Sequence, residues 1–76
     1  MSIELDCLSV EVKKGKLKYN SNVAVTIEPS AEELAEYAAK GWFIRPVDGA
    51  YEVYSERLNT DTLSAAVSAL SSRLGV

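Results

Sequence analysis

Twice along this chain two strand-like runs are followed by one capped helix, and the helix stops at a glycine. The first unit runs from Ile3 to Gly41 and the second from Trp42 to Gly75. Strand hydrophobicity alternates every second residue and helix hydrophobicity every third or fourth, so each change of period marks a change of element. The doubled order restricts the chain to a small α+β fold of ββαββα order. The expected form is an antiparallel-rich sheet with two helices on one face, in a single domain over residues 1–76. What repeats is the order of elements, because the residues of the two units do not match.

The first strand poses a problem of phase. Ile3 and Leu5 alternate with polar residues, and Leu8, Val10 and Val12 also alternate, but on the opposite parity. One face cannot hold both sets without an extra residue. A β-bulge near Asp6 and Cys7 would restore the phase. In the return strand Leu17, Tyr19, Val23, Val25 and Ile27 share one parity, although Asn20-Ser21-Asn22 can split that strand. Matched faces pair Val12 with Leu17, Val10 with Tyr19 and Glu11 with Lys18, around a turn at Lys14-Gly15.

Later signals are sharper. Ser30 followed by Glu33 is a capping box, with Leu34 and Ala38, beside Ala31 and Ala35, as the apolar stripe of a short helix. Asp48-Gly49 between Trp42–Val47 and Ala50–Ser55 suits a two-residue type I′ turn, which pairs Phe43 with Tyr54, Ile44 with Val53 and Arg45 with Glu52. Pro46 has no N–H to give a further strand, so residues 42–47 belong at a sheet edge. Asn59 or Thr60 caps the last helix, whose apolar face is Leu63, Ala66, Val67, Leu70 and Leu74.

Composition bounds the function. With 76 residues the core is small, which favours self-association as a way to bury more surface. The net charge of −3 argues against a domain-wide nucleic-acid footprint. The single cysteine, Cys7, leaves no intrachain disulfide and suits a reducing compartment. No signal peptide or membrane-length apolar run is evident, so a cytoplasmic protein is expected. The chain has no histidine, hence no Ser-His or Cys-His pair, and no zinc-type ligand set or phosphate-binding glycine loop. The expectation is therefore no enzyme, no cofactor and no metal. Glu32, Glu33 and Glu36 read as a solvated acidic first turn, and Cys7 as a small buried filler.

Three surfaces are candidates. If both helices cover the face of Trp42, Ile44, Tyr51 and Val53, the other face is open and carries Phe43, Arg45, Val47 and Tyr54. Aromatic residues with arginine are what protein interfaces favour. Elsewhere that face is polar, with Ser9, Glu11, Lys18, Asn20, Thr26 and Glu28. The stretch from Thr62 to Ser72 has no charge, and its back, Ala65, Ser68, Ala69 and Ser72, is small enough for another helix to approach closely. That helix is either the first helix of the same chain or the same helix of a second chain in a homodimer. Lys13, Lys14, Lys16 and Lys18 make a basic hairpin tip, a grip for nucleic-acid phosphates that the overall acidity disfavours.

The function expected from these residues is a non-enzymatic protein-interaction module acting stoichiometrically on a protein partner. Small size, acidity and the lack of catalytic groups resemble the profile of small phage-encoded inhibitors such as anti-CRISPR proteins. The alternatives are a nucleic-acid-binding domain using Lys13 to Lys18, and a subunit that contributes to an enzyme only with a partner.

Overall fold

The computed structural model describes residues 1–76. Four strands and two helices follow in the order β1 (Ile3–Lys13), β2 (Lys16–Ile27), α1 (Ala31–Lys40), β3 (Trp42–Val47), β4 (Ala50–Ser55) and α2 (Thr60–Leu74). The strands form one antiparallel sheet in the order β2-β1-β4-β3. As Pro46 requires, β3 lies at an edge and β4 inside.

Both hairpin registers agree with the sequence reading: Val10 faces Tyr19 and Glu11 faces Lys18, while Phe43 faces Tyr54 and Arg45 faces Glu52. Each turn places two residues at positive φ, Lys14 (54°) with Gly15 (74°) and Asp48 (41°) with Gly49 (79°). Two consecutive left-handed residues match the twist of the flanking strands, so lysine tolerates the first position because the turn rewards it. The Ser30–Glu33 capping box is present, and Asn59 caps α2 by accepting from the Thr62 amide. Gly41 (φ 80°) ends α1 and turns the chain directly into β3.

The placement of the helices differs from expectation. They lie on opposite faces of the sheet. α2 sets Ala66 and Leu70 against Leu8, Val10, Trp42, Ile44 and Val53. On the other face Leu5, Cys7, Phe43 and Tyr54 form a second core, with Tyr37 of α1 packed on it. The change of parity in β1 is the reason. No bulge occurs at Asp6 and Cys7, since β1 runs in unbroken register with β4 from Asp6 to Glu11. Leu5 and Cys7 simply point to one face and Leu8 and Val10 to the other, and each face needs its own helix. The extra residue sits in β2: Leu8 pairs with Asn22 and Val10 with Tyr19, which leaves a bulge at Asn20-Ser21 opposite Ser9. The bulge turns Leu17 and Tyr19 to the α2 face and Val23, Val25 and Ile27 to the α1 face, although all five share one parity in sequence.

Candidate functional site

The cluster beneath α1 is built on three strands. Cys7 on β1, Tyr54 on β4 and Phe43 on β3 lie side by side in register, with Ser9, Glu52 and Arg45 one step further along the same face. Phe43 is fully buried and Tyr54 is 4% exposed, so the expected open face with two accessible aromatic anchors is corrected. α1 covers them because Gly41 folds it straight back over β3. The rings of Phe43 and Tyr54 stack with centroids 5.0 Å apart, and the Arg45 guanidinium lies 5.2 Å from the Tyr54 ring.

Arg45 faces Glu52 in register, but its side chain turns to α1. Its Nε and Nη2 each donate a 2.7 Å bond to Glu33. Two parallel charge-assisted bonds fix both side chains. The guanidinium holds the Glu33 carboxyl down at about 2, with the Ser30 cap assisting. Glu52 accepts from the Cys7 thiol at 3.2 Å and from the Tyr54 hydroxyl. Burial, and then the hydrogen bond to Glu52, push the Cys7 thiol up to about 11, and the same two causes raise Tyr54. At neutral pH Cys7 is therefore a thiol and Tyr54 a phenol, each donating to one carboxylate. The Arg45–Glu33 fork thus ties α1 to β3, the Cys7–Glu52 bond ties β1 to β4, and Cys7 is held in its unreactive thiol form.

The remaining candidates fall on separate surfaces. Val47 is half-buried at the far end of β3. Ala65, Ser68 and Ser72 lie exposed on the outside of α2, while Ala69 packs on the core. α1 is across the sheet and does not meet this stripe. Lys13, Lys14, Lys16 and Lys18 are exposed at the hairpin tip, with Phe43 and Tyr54 buried elsewhere instead of beside them. Glu36 pairs with Lys40 at 3.3 Å, and Glu33 is held by Arg45.

Strand β2 is the surface that the sequence reading passed over. It pairs only with β1, and its outer edge is free. The helices pack over β3 and β4. On one face Val23 is 57% exposed, and on the other Tyr19 is 49% exposed. A signal for it existed: Tyr19 to Ile27 is a run of nine uncharged residues between Lys18 and Glu28.

Compared with known proteins, the chain matches no family model, no curated protein and no solved structure. No helix is long and apolar enough to cross a membrane.

Proposed function

We propose that the chain is a non-enzymatic protein-interaction module that works stoichiometrically, by accepting a strand at the free edge of β2. The observation that carries this reading is the exposure of β2 along its backbone edge and on both faces. Beyond the bulge, the unpaired amides and carbonyls of the extended stretch from Asn22 to Ile27 are a template for another strand, with Val23 offering apolar contact on one face and Tyr19, across the bulge, on the other. The opposite edge is blunted by Pro46 and by α1 resting on β3. The polar groups of the inner cluster are engaged with one another, which supports a structural role for them. A bound strand blocks whatever else its owner would contact, and this is how a small inhibitor or regulator acts without chemistry.

The test is affinity capture from the native host with the wild-type chain and with Val23→Lys, whose exposed position lets circular dichroism confirm that the fold is kept. A protein, which includes a second copy of the chain, is expected at fixed ratio with the wild type and in reduced amount with the variant. Capture of nucleic acid that fades as salt rises, with protein capture indifferent to residue 23, contradicts the reading.

A further inference from the structure

We infer that the tip of the β1–β2 hairpin, with Lys13, Lys14, Lys16 and Lys18, is a prong that grips the phosphate backbone of double-stranded DNA without reading its sequence. This surface lies at the far side of the bulge from the edge stretch Asn22 to Ile27, and the inference stands apart from the edge-binding reading.

The tip stands clear of the rest of the sheet. β1 is in register with β4 only from Asp6 to Glu11. Val12 and Lys13, their partners Leu17 and Lys16, and the turn between them project as a two-stranded ribbon past the last of those pairs. All four lysines are exposed and none is in an ion pair. Lys13 lies directly opposite Lys16, and Lys18 follows Lys16 on the same face. Like charges set opposite each other weaken a strand pair. Nothing within the chain relieves them. The acidic neighbours are Glu11, register partner of Lys18, and Asp48 in the β3–β4 turn, and neither pairs with a lysine. An anion laid across the tip removes this repulsion.

The net charge of −3 does not oppose this, because charge is segregated along the molecule. The tip holds half of the eight basic residues. Glu4, Asp6, Glu28 and Glu56 gather at the other end of the sheet, where Glu4 faces Thr26, Asp6 faces Ser55, and Glu28 and Glu56 follow Ile27 and Ser55. The stretch of β1 from Glu4 to Lys13 spans about 30 Å. The Debye length at physiological salt is about 8 Å, so an anion at the tip is screened from the acidic end. The residue type selects phosphate. Protein interfaces are depleted in lysine and favour arginine and aromatic residues, whereas lysines on flexible stems suit a diffuse row of phosphates. A two-stranded ribbon also fits the major groove of B-form DNA.

Fluorescence anisotropy with a short, labelled, random-sequence DNA duplex tests this at a series of salt concentrations. The wild type is expected to bind at low salt, with the logarithm of affinity falling against the logarithm of salt at a slope of about −3 to −4, as three or four phosphate contacts require. Lys13→Gln and Lys16→Gln each weaken binding several-fold and make the slope shallower by about one. Urea denaturation shows neither change lowering stability, because each removes a like-charge pair. Glu11→Gln tightens binding. Arg57→Gln makes the same change in net charge as Lys16→Gln but at the acidic end, and leaves affinity unchanged. Absence of binding at high micromolar protein in low salt overturns the inference. So does binding that Arg57→Gln weakens as much as Lys16→Gln, or binding that is indifferent to salt. Tighter binding of poly-L-glutamate or of phosphatidylserine vesicles than of the duplex, at equal salt, also overturns it and assigns the tip to an acidic protein or a membrane surface. None of these outcomes depends on protein capture through Val23.

Discussion

The two faces of one sheet are held in different ways. Beneath α2 the packing is almost wholly apolar, and the helix drives Ala66 and Leu70 fully into it. α1 buries none of its own residues. It is fastened instead by Tyr37 on the second core and by the Arg45–Glu33 fork. The two helices also cap one half of the sheet only, so β2 is mostly exposed, with Leu17, Val25 and Ile27 alone partly buried, while Val53 and Tyr54 of β4 are buried on opposite faces. A 76-residue chain has too little apolar material to cover two faces along their whole length. Dividing it between two helices secures β1, β3 and β4 and leaves β2 exposed at the sheet edge.

Truncation of a buried side chain on either face gives the largest contrast with β2. Phe43→Ala removes a fully buried ring from the smaller core and is expected to cost about 3–5 kcal/mol, and Leu70→Ala about 2–5 on the other face. Val23→Ala, at an exposed position, should cost under ~1 kcal/mol. Urea denaturation of the monomer measures all three. Equal small losses for Phe43→Ala and Val23→Ala would return Phe43 to an open face and remove the second core.

Much of this was legible in the sequence, and the part that was not has a specific cause. Capping residues and turn residues act locally, so Ser30 with Glu33, Asn59, and Asp48-Gly49 set element ends and the β3–β4 register, while the β1–β2 register came from matching apolar faces around Lys14-Gly15. Pro46 fixed an edge. The side of the sheet on which each helix lies is a non-local property, and its one clue was the change of parity within β1. That clue has two solutions, a bulge in β1 with one apolar face, or a bulge in β2 with two. The polar Asn20-Ser21-Asn22 was the better site for an extra residue, but only packing of both helices decides. Misplacing α1 then misplaced Phe43 and Tyr54, since facing is inherited along every paired strand. Arg45 was legible as a cross-strand partner of Glu52. Its choice of Glu33 depends on α1 lying above it.

A smaller effect sharpens the same contrast, because only the α1 face depends on an ion pair. Glu33 has its carboxyl lowered from the ordinary 4.5 to about 2, chiefly by Arg45. Its contribution is present above pH 4.5 and is lost as pH falls toward 2, where the folded protein must also take up the proton. Glu33→Gln should therefore lose about 1 kcal/mol or less at neutral pH, since the pair is partly exposed to solvent. The gap to wild type should close as pH drops through that window. Denaturation curves at several acidic pH values check this, and a gap that stays constant down to pH 2 would mean that the ion pair does not fasten α1.

If β2 is the surface at which a partner strand docks, amide hydrogen exchange reads that strand directly. Exchange is compared residue by residue for the free chain and for the chain with its captured protein bound. The expected result is slower exchange in the complex for amides between Tyr19 and Ile27, with β3, β4 and α2 unchanged. Unaltered exchange throughout β2, or protection that appears on α2 instead, would contradict it.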